Sequence, residues 1–153
     1  MSRYKYEPNP DLRDAIIFDI DGTLAHMEDR SPFDWRKVGE DKPDEIVMLL
    51  VEKFSSEGFE IIFMSGRDEI CRDITLSWLD YHLTFEVPSS SLFMRPHKDF
   101  RKDCLIKEEL FKKNVATSFN VRAVVDDRPQ VVRMWYDIGI PKVICVGNPW
   151  KEF

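Results

Sequence analysis

Several features that define protein classes are scarce or missing in this sequence. Only three cysteines occur among 153 residues, and Cys71, Cys104 and Cys145 form no CxxC pair. This spacing argues against a disulfide framework or a zinc site and favours a reducing compartment. No apolar run approaches the roughly 20 residues that a membrane-spanning helix needs, and the N-terminal segment has no apolar signal region. We therefore expect a cytoplasmic protein that does not act at a membrane.

Positive charge is also in deficit. The 22 lysines and arginines are outnumbered by 28 aspartates and glutamates, which gives a formal net charge of −6 at pH 7. A protein that coats nucleic acid non-specifically is usually basic, so this balance disfavours that class. It still permits an enzyme that contacts one end of a nucleic-acid strand through a local basic patch. The alternative is that the basic residues lie in a solvated loop and have no such role. The candidate patch consists of Arg95, His97, Lys98, Arg101 and Lys102.

The composition is that of an ordinary globular domain. Hydrophobic residues make up 43% of the chain and charged residues 33%, and this length fits a single domain. Residues 1–13 contain two prolines and several charges, which predicts a tail or linker. We expect the domain itself to cover residues 14–153.

Apolar runs and amphipathic segments alternate along the chain. Runs typical of buried strands lie at 15–18, 59–64, 92–94, 121–125 and 142–146. Helical spacing of apolar residues lies at 43–57, 69–81, 102–114 and 129–138. Alternating strands and helices predict a doubly wound, Rossmann-like α/β fold with a parallel sheet. Ligands bind such folds at the carboxyl ends of the strands.

The first predicted strand is followed by Asp19 and Asp21, within the segment Asp-Ile-Asp-Gly-Thr. Ionised carboxylates at the end of a buried strand are costly unless compensated, and a hard cation bound through oxygens is a common solution. Asp19 has the chemistry to ligate such a cation and to attack phosphorus. Asp21 has the chemistry to protonate the leaving oxygen and later to accept a proton from water. The alternative is an Asp-Gly turn that caps a helix.

Ser65, Gly66 and Arg67 follow the second predicted strand. A hydroxyl and backbone N–H groups between a strand and a helix can bind an anion at the helix N-terminus. Arginine can add a bidentate contact to phosphate. The alternative is that Ser65 caps the helix.

Two further charged groups complete the candidate set. Lys107 lies on a predicted helix, where most lysines are solvated, and Asp103 lies four residues earlier on the same face and could orient it. Asp126 and Asp127 follow a later strand. Adjacent carboxylates repel each other, and a divalent cation relieves that cost. The alternative for this pair is a helix N-terminus that favours acidic residues.

The order of these motifs resembles that of the haloacid dehalogenase (HAD) superfamily over about residues 14–146. The segments 18–25, 65–67, 101–109 and 126–135, together with Arg30, look like the 3′-phosphatase domain of the phage polynucleotide kinase-phosphatase. Enzymes of that family remove 3′-phosphates from DNA and RNA ends during repair. The resemblance implies a doubly wound fold of the HAD type and Mg²⁺ as cofactor.

The resemblance also implies a role for each matching residue. Asp19 would be the nucleophile and Asp21 the general acid-base. The metal site would comprise Asp19, Asp21, Asp126 and Asp127, with Asp127 favoured over Asp126 as direct ligand. Phosphate and substrate contacts, direct or supporting, would come from Arg30, Ser65, Gly66, Arg67, Asp103 and Lys107.

One departure from the phage enzyme concerns its 5′-kinase domain. None of the six glycines is followed by lysine, so the GxxxxGK[ST] phosphate loop of that domain is missing and we expect no kinase activity. Whether a 5′-kinase domain or partner acts separately stays open, as does formation of a homo-oligomer. If the protein is phage-encoded, the cytoplasm is that of the host.

The short gaps between motifs predict a minimal cap domain or none, and an open site admits a strand end. We therefore predict a polynucleotide 3′-phosphatase. A small-molecule phosphatase such as a nucleotidase is the alternative, and a catalytically inactive HAD-fold binding protein is a third hypothesis. The sequence does not discriminate DNA from RNA. Among the tryptophans, Trp35 in the flap between the first two motifs is the one to test for contact with a base.

Overall fold

The computed structural model describes residues 3–151, and strands alternate with helices along most of this range. The strands are β1 (Asp14–Phe18), β2 (Ala25–His26), β3 (Lys42–Pro43), β4 (Glu60–Asp68), β5 (Leu92–Arg95), β6 (Asn120–Asp126) and β7 (Val143–Cys145). The α-helices are α1 (Glu45–Ser56), α2 (Arg72–His82), α3 (Asp103–Asn114) and α4 (Pro129–Asp137). Short 3-10 helices lie at Trp35–Glu40, Glu69–Cys71 and Ser89–Ser91.

Strand β1 lies at the centre of a five-stranded sheet of order β5-β4-β1-β6-β7. All neighbouring strands in this sheet are parallel. The chain moves from β1 outward to β4 and β5 on one side and then to β6 and β7 on the other, which creates a crevice at the carboxyl end of β1. The prediction of a doubly wound α/β fold is confirmed. β2 and β3 form a separate antiparallel pair.

Alternate residues of β1 build the core on opposite faces of the sheet. Ile16 and Phe18 pack in the cluster that contains buried side chains of α1 and α2. Ala15 and Ile17 pack in the cluster that contains those of α3 and α4. Each of these four residues is at most 2% exposed. Helices cover both faces of the sheet, which explains why the strand is apolar at each of the four positions 15–18.

Strand β4 is longer than predicted and changes the setting of the second motif. Its parallel pairing with β5 continues to Asp68 opposite Arg95, after a register shift between Ser65 and Asp68. Ser65 therefore lies inside a strand and does not cap a helix. The following 3-10 turn is capped instead by the Asp68 carboxylate, which accepts a hydrogen bond from the Ile70 backbone N–H at 2.8 Å.

The predicted helix over 69–81 begins as a 3-10 turn and becomes α2 only at Arg72. Its apolar residues divide between two environments. Trp78 and Leu79 are buried, whereas Ile70 and Ile74 are 66% and 39% exposed. Because α2 packs through the face that carries Thr75, Trp78 and Leu79, Ile74 remains in contact with water. Ile70 precedes α2 and lies in the exposed part of the 3-10 turn.

Part of the predicted tail belongs to the folded body. The Tyr6 side chain is only 5% exposed, and its hydroxyl donates to the Phe119 carbonyl and accepts from the Val121 N–H at 2.8 Å. The Tyr6 backbone N–H donates to the Ile138 carbonyl at 2.6 Å. The sequence does not indicate this docking, because one isolated aromatic residue creates no helical or strand periodicity that would mark the segment as buried. Residues 3–13 therefore do not form a free linker throughout.

Within residues 3–151, no separate cap domain covers the sheet. The insertion between β1 and β4 contains only β2, β3, a 3-10 helix and α1, and α2 and short 3-10 turns lie between β4 and β5. This confirms the prediction of a minimal cap or none. None of the helices in this range is long and apolar enough to cross a membrane.

The docking of Tyr6 generates a prediction for stability. Tyr6→Phe keeps the ring but leaves the Val121 N–H without its partner, and an unsatisfied buried donor costs about 1–3 kcal/mol. We expect the free energy of unfolding in urea to fall by that amount. Tyr81→Phe, at a ring that is 84% exposed, is the matched control and should leave it unchanged. Equal unfolding free energies for both variants would contradict the assigned hydrogen bonds.

Candidate active site

The loop after β1 is folded so that Asp19 points into the crevice. The Asp19 backbone N–H donates to the Val125 carbonyl at 3.0 Å, and the Ile20 carbonyl accepts from the backbone N–H groups of residues 23–25. Gly22 has φ of +82°, and a Cβ at this position would lie 2.2 Å from an oxygen of Asp127. Glycine is therefore required, because it allows the β1 loop to approach the Asp127 carboxylate.

Three buried carboxylates meet at the ends of β1 and β6. Asp19, Asp126 and Asp127 are 5%, 1% and 8% exposed, and one oxygen from each lies within 4.8 Å of the others. Among the residues described, Asp21 does not join this group of three. The structure therefore brings together three of the four residues predicted to ligate a metal.

Lys107 neutralises part of this cluster. Its side chain is 1% exposed, and Nζ lies 2.7 Å from Asp19 Oδ1 and 3.0 Å from Asp126 Oδ2. Asp103 lies one helical turn earlier, with its Oδ2 3.6 Å from Nζ, which agrees with the predicted orienting contact. Because α3 packs against the sheet, this lysine is directed into the crevice. The alternative of a solvated surface lysine is wrong.

Burial and mutual repulsion set the electrostatics of the cluster. Burial raises the pKa of the Asp19 carboxyl well above its usual range, the charge of Asp126 raises it further, and the Lys107 ammonium opposes both effects. Burial also raises the pKa of Asp127, with a contribution from Asp126. For Lys107, burial disfavours the charged form, but the surrounding carboxylates outweigh it and raise its pKa well above its usual range. Three carboxylates thus share one ammonium, and a hard divalent cation fits this oxygen-rich, negatively charged set.

The hydrogen bonds distinguish the two adjacent aspartates. Asp126 Oδ2 accepts from Lys107 and from Trp135 Nε1 at 3.3 Å, and Oδ1 accepts from the Arg128 backbone N–H. Asp127 Oδ1 accepts a long hydrogen bond of 3.3 Å from the Thr23 hydroxyl, which also lies 2.8 Å from Asp19. Asp126 is therefore anchored by protein donors on both oxygens, which supports Asp127 as the more available ligand.

Asp21 points away from the carboxylate group and toward two arginines. The Arg67 guanidinium donates to both Asp21 oxygens, through Nε at 3.0 Å and Nη2 at 2.8 Å. Arg30 Nη2 lies 3.5 Å from Asp21 Oδ1. The Asp21 side chain remains 36% exposed. The result is a partly accessible carboxylate that is held from one side by a buried cation.

Asp41 links the two arginines and is a site residue that the sequence reasoning missed. Its side chain is 1% exposed. Its carboxylate accepts hydrogen bonds from Arg30 Nε at 2.7 Å and from Arg67 Nη2 at 2.8 Å. Arg67 also donates to the Thr75 hydroxyl at 3.1 Å. Asp41 follows a short 3-10 helix outside every recognised motif, so no sequence signal marks it. We define Asp21, Arg30, Asp41 and Arg67 as the flap network.

The flap network changes the picture of Arg67 and Arg30. Both side chains are almost fully buried, at 0% and 3% exposure, and their guanidinium groups bind carboxylates of the protein. The structure therefore places them beside Asp21, where they position its carboxylate. A direct contact from either arginine to phosphate stays a prediction.

Gly66 and Ser65 have close-packed roles within β4. A Cβ on Gly66 would lie 2.2 Å from Asp103 Oδ1, so glycine permits the approach of α3 that brings Asp103 and Lys107 to the site. Ser65 is fully buried, and its hydroxyl accepts from the Arg67 backbone N–H at 3.0 Å. Arg95 supports the same turn by donating to the Gly66 carbonyl at 2.8 Å.

The predicted basic patch uses much of its charge internally. Arg101 pairs with Asp99 at 2.7 Å and Glu109 at 2.6 Å, and hydrogen bonds from Arg101 are the largest cause of the lowering of the pKa of Asp99 to about 2. His97 contacts Asp68 at 2.8 Å. Only part of the positive charge inferred from the sequence is therefore available to an external anion.

Comparisons with known proteins agree on the family. The profile of the polynucleotide kinase PNKP phosphatase domain matches residues 13–147. A protein of Autographa californica nuclear polyhedrosis virus, named as a bifunctional polynucleotide kinase/RNA ligase, is 40% identical over 141 residues. That match covers 91% of this chain and 20% of the viral protein.

Solved structures extend the comparison. A chain from the structure of a Pnkp1/Rnl/Hen1 complex has a TM-score of 0.84 at 30% identity, covering 96% of this chain and 51% of that chain. The class C acid phosphatase from Bacillus anthracis with tungstate bound has a TM-score of 0.66 at 16% identity, covering 92% of this chain and 69% of that chain, and it supports the fold alone. This chain thus spans about half of the Pnkp1-complex chain and about a fifth of the viral relative. The chain therefore belongs to the family of HAD-type phosphatase domains of polynucleotide kinase PNKP.

Proposed function

We propose that this chain is a magnesium-dependent polynucleotide 3′-phosphatase that works through an aspartyl phosphate on Asp19. The observation that carries the proposal is the pairing of two differently placed carboxylates at the end of β1. Asp19 is buried against Lys107 and the β6 aspartates, whereas Asp21 is partly exposed and held by Arg67. One group is set to attack and the other to exchange protons.

In the first step, an Asp19 carboxylate oxygen forms a bond to phosphorus and the bond from phosphorus to the ester oxygen breaks. Protonated Asp21 gives its proton to the departing 3′-oxygen. Lys107 lies 2.7 Å from Asp19 Oδ1, so its ammonium is close to the negative oxygens of the phosphoryl group and stabilises their charge.

In the second step, the Asp21 carboxylate accepts a proton from a water molecule as its oxygen attacks the phosphorus of the aspartyl phosphate. The bond to Asp19 breaks, inorganic phosphate leaves and Asp21 is again protonated. Arg67, Arg30 and Asp41 hold Asp21 in place through both steps. Asp103 and Asp126 do the same for Lys107.

Magnesium fits the donor set, and we assign Asp19 and Asp127 as its ligands. Asp126 adds a further negative charge to the site. When bound, it neutralises negative charge on the transferring phosphoryl group. Asp21 is directed to Arg67, so we omit its carboxylate from the proposed ligands. Ser65, Gly66 and the β4 turn remain candidates for phosphate contact through their backbone.

A polynucleotide end is the proposed substrate for two reasons. The matched family is the phosphatase domain of a polynucleotide kinase, and the viral relative is named for polynucleotide kinase and RNA ligase activities. The described residues also place no cap over the crevice, so an extended strand has access to Asp19. A 5′-kinase domain or partner would act separately from this chain, and residues 14–153 form the phosphatase domain in this proposal.

Metal binding has a readout that is independent of turnover. Mg²⁺ should raise the free energy of unfolding of the wild type by about 2.7 kcal/mol at 100 times its dissociation constant. Asp127→Asn should lose most of this gain and, in the presence of a chelator, should be more stable than the wild type because one repelling charge is gone. Thermal or urea unfolding with and without Mg²⁺ measures both effects. An equal Mg²⁺ response in both proteins would contradict the assignment.

Asp21→Asn separates the two chemical steps. Hydrolysis of a 3′-phosphorylated oligonucleotide should fall by about 10²–10⁴-fold, because its alkoxide leaving group needs the proton. With 4-nitrophenyl phosphate the leaving group needs none, so rapid kinetics should show a burst of about one nitrophenolate per enzyme followed by slow turnover. Asp19→Asn should show no burst. Equal slowing on both substrates without a burst would contradict the role of Asp21.

Asp41→Asn tests the flap network. Two buried guanidinium groups lose a shared counter-charge, which should cost about 3 kcal/mol or more in unfolding free energy. Looser placement of Asp21 should also lower kcat on an oligonucleotide by about 100-fold, with a smaller loss on 4-nitrophenyl phosphate. Glu57→Gln, which removes an exposed pair with Lys53, is the control and should change neither quantity. A stability loss with unchanged kcat would leave Asp41 with a purely structural role.

The substrate proposal is tested by a panel of 3′-phosphate, 2′-phosphate, 2′,3′-cyclic phosphate and 5′-phosphate ends in Mg²⁺. We expect the highest kcat/KM for a 3′-phosphorylated oligonucleotide, above that of the 3′-mononucleotide. A strong preference for a free 5′-nucleotide would favour a nucleotidase instead. No turnover of oligonucleotides or aryl phosphates would favour an inactive binding protein. DNA and RNA versions of the same sequence decide the preferred sugar.

A further inference from the structure

A groove of about 500 Å³ lies between the flap and the start of α2. Its walls are formed by Phe33, Trp35 and Arg36 on one side and by Ile70 and Ile74 on the other. The mechanism above does not use this groove.

The walls expose apolar side chains that a buried core would normally take up. Phe33 is 80% exposed, Ile70 is 66% exposed and Ile74 is 39% exposed. The rings of Phe33 and Trp35 lie 6.4 Å apart at an interplanar angle of 89°, so the two aromatic surfaces face in different directions and form a corner. A concave cluster of exposed aromatic and aliphatic groups is typical of a binding site for a planar apolar ligand.

The groove is continuous with the flap network. Arg30, which contacts Asp41 and Asp21, also donates from Nη1 to the carbonyl of Ser31 at 3.2 Å, and Ser31 lines the groove. On the opposite wall, Arg67 donates to the Thr75 hydroxyl, which lies 3.7 Å from the sulfur of Cys71 at the groove floor. Arg30 Nη2 lies 3.5 Å from Asp21 Oδ1, so a single guanidinium group separates the Asp21 carboxylate from the groove wall at Ser31.

The rim of the groove carries two exposed cationic side chains, Arg36 and Lys37, and the carboxylate of Asp34, which also lines the groove. The Arg36 side chain is 89% exposed and pairs with Asp34 at 3.2 Å, and Lys37 follows it in an exposed position. An aromatic corner beside cationic side chains complements a nucleobase attached to a phosphodiester backbone. A simple alkyl phosphate offers nothing to fill it.

We infer that this groove binds the nucleobase of the terminal nucleotide whose 3′-phosphate is hydrolysed. The inference rests on the proposed 3′-phosphatase function and specifies how the site selects a nucleotide end. Phe33 and Trp35 pack against the base, Ile70 and Ile74 cover its opposite edge, and Arg36 neutralises the phosphodiester on the 5′ side. Binding energy from the base thus supports reaction at the phosphate.

The test compares two oligonucleotides of the same sequence that both carry a 3′-phosphate. One ends in a normal nucleotide and the other ends in an abasic sugar, so that only the terminal base differs. Aromatic contact with a base is worth about a 5- to 150-fold change in equilibrium constant. We expect kcat/KM of the wild type to favour the normal end by about tenfold or more.

Phe33→Ala and Ile70→Ser should each reduce that preference to about twofold or less, mainly through KM. Both positions are exposed, so the variants should keep the unfolding midpoint of the wild type. Tyr81→Ala removes an equally exposed aromatic on α2 that does not line the groove, and it should keep the full preference.

The outcomes separate the inference from the proposed function. A wild type that hydrolyses both oligonucleotides with equal kcat/KM overturns the groove assignment and leaves the 3′-phosphatase proposal intact. A preference that persists in both groove variants has the same consequence. A wild type that hydrolyses neither oligonucleotide overturns both.

Discussion

The contact between the Lys107 ammonium and the carboxylates of Asp19 and Asp126 is the interaction on which the site depends. It joins α3 to the ends of β1 and β6 in a nearly dry environment. An unpaired charge in that position would cost several kcal/mol, so the helix and both strands must hold a fixed relative position. The same contact leaves the carboxylates in excess over the ammonium. That imbalance leaves an oxygen-rich, negatively charged crevice that fits a hard divalent cation.

The flap network gives the second half of the site its rigidity. Asp41 comes from the flap and Arg67 from β4, and their contact at 2.8 Å connects the flap to the sheet. Asp21 lies at the exposed end of this network. The Asp21 carboxylate is therefore positioned by buried cations while its outer face stays open, which agrees with a crevice that no cap domain covers within the described residues.

The fold was predictable because its signals are local and periodic. A continuous apolar run identified β1, a largely apolar run identified β6, and helical spacing identified α1 and α3, since strands covered on both faces and helices covered on one have distinct patterns. The signals failed where tertiary pairing overrides local preference. β4 extends to Asp68 because β5 offers a further backbone partner, and Ile74 is partly exposed because α2 packs through a different face.

The sequence by itself determined the strand-end carboxylates, the family resemblance and the identity of Lys107 as a candidate, because these features are spelled out in short, ordered motifs. Only the tertiary structure decided which of them meet. It separated Asp21 from the cluster of three aspartates, and it buried the Arg67 guanidinium against protein carboxylates. It also brought in Asp41, which is far from every motif along the chain. Distances between residues remote in sequence depend on how helices and strands pack, and no local pattern encodes that geometry.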